Sequence, residues 1–230
     1  MRITFHGQSC FEIHHEQTKL IIDPFLNGNP LAKATPEEIR ADYILITHGH
    51  GDHVGDAVEI AQRNQATVIA NFELANWFSF QGVQQVHPMH IGGSHVFDFG
   101  RVKLTPALHG SGFVDEEKKE IIYLGMPAGL LLEIGGRTIY HAGDTALFSD
   151  MKLIGRNNGV DLALLPIGDN FTMGPDDALL AAEWVGAKHV VPMHYNTFPL
   201  IEQDADAFID ALKKVNIHGQ SVQPGESFKI

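Results

Sequence analysis

A single cysteine, Cys10, in 230 residues excludes an intrachain disulfide and any cluster held by several thiolates. Cations are also scarce: 16 Lys and Arg stand against 28 Asp and Glu, a formal charge of −12. No basic run exceeds Lys118-Lys119 or Lys213-Lys214, so a docking face for nucleic acid or an anionic membrane is not expected. No apolar stretch has the length of a spanning helix, and the start, MRITFHGQ, enters a strand-like segment without a signal-peptide pattern. The expectation is a cytoplasmic protein. Low-complexity stretches and Ser-rich linkers are missing too, so composition marks no boundary and residues 1–230 read as one domain.

What the chain does have is 44% apolar residues, distributed as short runs alternating with helical patterns. The runs Arg2-His6, Cys10-His14, Lys19-Ile22, Tyr43-Ile46, Thr67-Ala70, Arg101-Leu108, Gly129-Ile134, Thr138-His141, Asp161-Leu165 and Lys188-Pro192 predict strands. Helical spacing appears in Val54, Ala57, Val58, Ala61, again in Ala178, Ala181, Ala182, Val185, and again in Ala205, Phe208, Ile209, Leu212. Pro175 suits the first turn of the second helix, and Asp176 and Asp177 suit its positive end. Laid side by side, SCFEIHHEQTKLIIDP…DYILITHGH…TVIAN and AGLLLEIGGRTIYHAGDT…VDLALLPIGD…KHVVPMHYN form a weak internal repeat. Each half is a hairpin ending in an Asp (Asp23, Asp144), then a buried strand, a helix and another strand. Two such halves predict an α/β protein of four layers, an αββα sandwich.

The most informative segment is YILITHGHGDHVG, residues 43–55, where an apolar strand runs into His48, His50, Asp52 and His53. Glycines between them allow a tight turn that aims several side chains at one point. Further donors lie just past the ends of other apolar runs: His109 after RVKLTPAL, Asp144 after TIYHAG, and His194 after HVVPM. That is where open α/β architectures collect their sites. Three histidines with water suit one metal, Asp with two histidines suits a second, and one carboxylate can bridge.

HGHGDH, His109, HAGDT and PMHY, in this order and spacing, resemble the metallo-β-lactamase superfamily over almost the whole chain. The stretches IIDPFL, HPMHIGG, MPAGLLLE, HAGDTALFSDMKLIG, LPIGDNFTMGP and HYNTFP resemble more closely a bacterial family of small metal-dependent hydrolases, kin to the ascorbate-phosphate lactonases. The resemblance implies that His48, His50 and His109 hold one metal, that Asp52, His53 and His194 hold the other, and that Asp144 bridges. It departs at Gln8, where the family's pattern often carries His.

Such a site implies hydrolysis of a small ester, lactone or phosphoester by a metal-bound hydroxide, which Asp52 is expected to orient. Two divalent ions are expected as cofactors, Zn first, with Mn or Fe also suited to a His and carboxylate set. The expected partner is a small-molecule substrate, without nucleic acid or membrane, and a homo-oligomer is compatible with this reading. Alternatives are a nuclease or small-molecule phosphodiesterase, which the acidic charge opposes, and an iron-dependent oxidoreductase on the same fold; redox di-iron relatives usually carry Glu at the place of His50. Asp23 is expected to accept a hydrogen bond from a ligand histidine. Asn170, Thr172, Tyr195 and Asn196 follow strand ends on the site side and are candidate substrate contacts. Residues 110–119, next to His109, read as a mobile loop able to act as a lid.

Overall fold

The computed structural model describes residues 1–156 and 159–230. Two seven-stranded sheets face each other. The first runs, in spatial order, Ser227–Lys229, Arg2–Gly7, Cys10–His15, Thr18–Ile22, Tyr43–Leu45, Thr67–Asn71 and Val86–Met89. The second runs His218–Gly219, His189–Met193, Leu162–Pro166, Arg137–His141, Ala128–Ile134, Gly100–Pro106 and Ser94–Phe97. In each sheet an antiparallel hairpin (Cys10–His15 with Thr18–Ile22; Ala128–Ile134 with Arg137–His141) is followed by three parallel neighbours. The repeat visible in the sequence is therefore a repeat of topology, and Asp23 and Asp144 end equivalent strands.

Burial explains why the central strands read as unbroken apolar runs. Leu45 and Ile69 face the second sheet and meet residues such as Leu104, Leu130 and Leu164. Their neighbours Ile44 and Val68 face outward, onto Ala57, Ile60, Leu74 and Phe78 of the helices Ala57–Asn64 and Phe72–Phe80. The second sheet repeats this, with Tyr140, Ala163 and Val190 against the helices Pro175–Trp184 and Ala205–Lys214. Strands buried on both faces lose the alternation of a half-exposed sheet. Among the described residues no helix is long and apolar enough to cross a membrane.

The helix expected from Val54 onward is interrupted. One turn, Gly51–Val54, stops at Gly55, and a second helix begins at Ala57. Gly55 has φ +41°, and a Cβ there would lie 2.4 Å from the carbonyl oxygen of Pro24. Asp56 turns its carboxylate to the backbone N–H groups of Leu26 and Asn27, at 2.9 Å each. Residues 110–119 are not an irregular loop but belong to a two-stranded ribbon, Gly112–Asp115 with Glu120–Tyr123. Its inner side chains, Phe113 and Ile122, pack onto the first helical layer, with Phe113 5.2 Å from Trp77 between ring centres.

At the far end of the second sheet His189 pairs in register with His218, the rings 4.5 Å apart. Burial, then the neighbouring imidazole, pushes His189 down to about 4. An unfolded histidine takes its proton near pH 6.5, so the stability tied to the neutral ring is complete above that pH and is lost as pH falls through about 4. His189→Gln should flatten the acid loss of stability in this window by about 1–2 kcal/mol after allowance for solvent screening. Urea unfolding of both proteins at neutral pH and at two points within the window measures it, and parallel curves would contradict it.

Candidate metal centre

The donors singled out in the sequence meet at one edge of the sandwich, just beyond the carboxyl ends of four strands. Tyr43–Leu45 leads to His48, His50, Asp52 and His53; Gly100–Pro106 to His109; Arg137–His141 to Asp144; His189–Met193 to His194. In the first loop His50 precedes the single turn Gly51–Val54, whose N–H groups at His53 and Val54 bond back to the His50 carbonyl at 3.1 and 2.9 Å. Gly49 is required by contact: a Cβ would stand 2.6 Å from Leu124 Cβ, and its N–H donates to Ser111 Oγ at 3.0 Å.

Three sets of donor atoms each fall within 4.8 Å of one another: His48, His50 and His109; His48, His53 and Asp144; Asp52, His53 and His194. A tetrahedral ion with ligands at about 2.0–2.1 Å needs ligand-to-ligand separations of about 3.3–3.4 Å. His48 Nε2 and His50 Nδ1 are 3.0 Å apart, while Asp52 Oδ2 lies 3.5 Å from His53 Nε2 and 3.6 Å from His194 Nε2. Asp144 Oδ2 sits between the sets, at 2.9 Å from His194, 3.3 Å from His53, 3.5 Å from His109 and 3.9 Å from His48, all to Nε2.

Behind these atoms lies a supporting layer. Asp23 Oδ2 accepts from His53 Nδ1 at 2.8 Å and from the Thr47 hydroxyl at 2.7 Å, and its Oδ1 accepts the Thr47 N–H at 2.9 Å. Since the Thr47 hydroxyl donates to Asp23, it accepts from His48 Nδ1 at 3.0 Å. One buried carboxylate thereby fixes the tautomer of two histidines and turns both Nε2 lone pairs inward. Asp23 was expected in this layer from its place in the repeat; Thr47 was not, having only its position before His48 to signal it. Gln8, 1% exposed, donates from Nε2 to Asp52 Oδ2 at 2.8 Å. Buried His141 accepts from Gly143 N at 3.1 Å and donates to the Ser9 carbonyl at 2.9 Å, tying the Asp144 loop to the first hairpin.

Electrostatics divides the cluster. Burial, aided by the neighbouring His53, holds His48 well below its ordinary value, and burial lowers His50 and His109 as well. Burial opposes charge on His53 and His194 too, but Asp144, Asp52 and Asp23 outweigh it at His53, and Asp144 and Asp52 raise His194 to about 9. The same attraction overcomes burial at Asp52 and Asp144 and keeps both carboxyls well below the usual carboxylate range. His53 Nε2 and Asp144 Oδ1 are buried without a hydrogen-bond partner among the described residues. Carboxylates that draw in positive charge, inward lone pairs and orphaned donors together fit divalent cations.

The profile of the β-lactamase superfamily domain matches residues 18–195. The chain belongs to the β-lactamase superfamily. It is 59% identical over 230 residues, the whole of both chains, to a UPF0173 metal-dependent hydrolase of Bacillus cereus strain B4264. Igni18, a metallo hydrolase of the hyperthermophilic archaeon Ignicoccus hospitalis, superposes with a TM-score of 0.89 at 35% identity, covering 100% of this chain and 98% of its own. CmlA, a diiron β-hydroxylase of Streptomyces venezuelae, covers 100% of this chain and 54% of its own with a TM-score of 0.78 at 14% identity. That last likeness is one of fold alone, and it shows the metallo-β-lactamase fold carrying different chemistries.

In this superfamily member the cluster opens into a cavity of about 390 Å³ lined by Gln8, His50, Asp52, His109, Asp144, Phe171, His194 and Phe198. None of the four expected substrate contacts is among them. Thr172 turns its hydroxyl onto the Met173 carbonyl at 3.3 Å, and Asn196 Oδ1 accepts from Gln203 N at 2.8 Å. Tyr195 packs into the second helical layer and, with Asn196, borders a separate cleft; Asn170 is exposed at φ +38° in the turn beside Phe171. Thr172 and Asn196 thus spend their side chains on backbone groups, and the phenyl rings of Phe171 and Phe198 face the cavity. His6, outside the cavity, bonds Glu12 at 2.7 Å.

Proposed function

We propose that this chain is a binuclear metal-dependent hydrolase acting on a small ester, lactone or phosphoester. The observation that carries the reading is the position of Asp144 Oδ2, within 3.9 Å of Nε2 of four histidines drawn from both donor sets. His48, His50 and His109 would hold one cation, Asp52, His53 and His194 the second, with Asp144 shared. The all-imidazole first set favours Zn, and the mixed second set accommodates Mn or Fe as well. Cations so placed supply an acidified water at neutral pH and polarise a carbonyl or phosphoryl oxygen. Asp52, whose Oδ2 is fixed by Gln8 and borders the cavity, orients the attacking water. His53 and His194 would hold a cation as neutral rings, and the bond from His53 Nδ1 to Asp23 keeps the His53 ring aimed.

The charge of −12 and the single buried thiol support a cytoplasmic enzyme for small molecules, not for nucleic acid or a membrane. Elemental analysis after exhaustive dialysis should give close to two transition metals per chain. The metal-reconstituted protein should then turn over at least one member of a panel of esters, lactones, phosphomonoesters and phosphodiesters. A stoichiometry near zero that does not rise on adding Zn or Mn would sink the binuclear reading.

A further inference from the structure

Of the eight side chains lining the cavity, five are the donors His50, Asp52, His109, Asp144 and His194. Gln8 spends its amide N–H on Asp52 and is nearly inaccessible. What remains for the non-reacting part of a substrate is Phe171 and Phe198. Phe171 is 51% exposed and Phe198 36% exposed, large apolar surfaces left to water at the mouth of a polar site. No Lys or Arg is among the lining residues, whereas sites for phosphate or carboxylate arms are built from such side chains.

Both residues sit in short hydrogen-bonded turns following strands of the second sheet. Phe171 lies between Asp169 and Thr172, where Thr172 N donates to the Asp169 carbonyl at 2.9 Å and Asp169 N to Met173 O at 3.0 Å. Phe198 is four residues past His194; its carbonyl accepts from Ile201 N at 3.0 Å, and its ring rests 6.4 Å from that of Phe25 between centres. A backbone fixed in this way loses little freedom when a ligand covers the rings it carries.

We infer that the site takes uncharged carboxylic esters or lactones with an aromatic or aliphatic arm, the arm seating against Phe171 and Phe198 while the scissile group lies over the His and Asp cluster. This rests on the hydrolase reading and narrows it, because an arm bearing phosphate or carboxylate, directed away from the metal donors, meets two phenyl rings and no Lys or Arg side chain.

The test uses zinc-loaded protein and hydroxamates, whose chelating head is constant while the arm varies. Calorimetry should find phenylacetohydroxamate at least about 10-fold tighter than succinic monohydroxamate, the scale on which apolar pockets discriminate. Phe171→Ala combined with Phe198→Ala should abolish that preference at unchanged zinc content, and Phe171→Lys should favour the succinic probe. Equal or tighter binding of the anionic probe by the native protein, or a preference that survives the double variant, would overturn the inference. A parallel panel of neutral and anionic esters separates the two readings. If the hydroxamates sort as expected and nothing is hydrolysed, the hydrolase reading fails and the arm subsite stands. If esters are hydrolysed without regard to the arm, the subsite fails and the hydrolase stands.

Discussion

Asp144→Asn should empty both cation positions at once. The substitution preserves shape but removes the charge from the one carboxylate that approaches His48, His53, His109 and His194 together. Metal content is expected to fall from near two per chain to well under one. The rate kcat/KM should drop by at least about 1,000-fold, as for loss of a group on which the whole site depends. Zinc should also raise the melting temperature of the native chain and not that of the variant, since only a ligand that binds the folded state stabilises it. A variant that keeps two tightly held metals would show that Asp144 is not shared.

Asp52→Ala divides the site instead of dismantling it. Asp52 Oδ2 faces His53 and His194 and belongs to no donor set with His48, His50 and His109. One metal per chain should therefore remain while the second is lost or weakened. Activity should fall by about 100-fold or more, because one strong electrostatic stabiliser is removed. Gln8→Leu, which deletes only the 2.8 Å bond to Asp52, should give a milder version, and Gln8→His, which restores an N–H donor, should recover part of it. His14→Ala is the control: that ring, on the strand Cys10–His15, bonds Arg2 and Glu12 and none of the donors, and metal content and rate should not move. Two metals and near-normal turnover in Asp52→Ala would refute the ligand assignment.

Central strands and edge elements differ in how openly the sequence displays them. All ten expected strands exist, because central strands buried on both faces leave long Ile, Leu and Val runs. The strands Val86–Met89 and Ser94–Phe97 escape notice, since they lie at sheet edges and carry His87, Pro88 and His95 in place of an apolar pattern. The helix Phe72–Phe80 (FELANWFSF) is apolar on too many sides to show a 3.6 period; its clearest marker is Asn71, whose side chain caps Leu74 N at 2.9 Å. The ribbon 112–123 hides behind its polar turn, where Asp115 accepts from Lys118.

At the site, the histidines and aspartates were legible because strand ends place them by topology. The cavity's apolar lining was not. Selecting Asn170, Thr172, Tyr195 and Asn196 assumed that polar side chains after strand ends face a substrate. Instead, backbone groups take the side chains of Thr172 and Asn196, Tyr195 packs into the second helical layer, and the phenyl rings of Phe171 and Phe198 face the cavity.

Gln8, Asp23 and His194 stand around the cluster with φ of +53°, +45° and +54°, and the N–H of His194 donates to the Gln8 carbonyl at 2.7 Å. A side chain held in this left-handed region costs about 1–3 kcal/mol. Glycine or asparagine would relieve that strain, yet either one at His194 would delete an imidazole from the donor set. Selection for folding and selection for chemistry thus pull in opposite directions at these positions. Elsewhere they do not: Gln65, at φ +56° after the helix Ala57–Asn64, can become glycine and gain stability freely. A library selected for thermal resistance in the presence of a chelator should accumulate glycine at Gln65 and drift toward metal-free chains at His194.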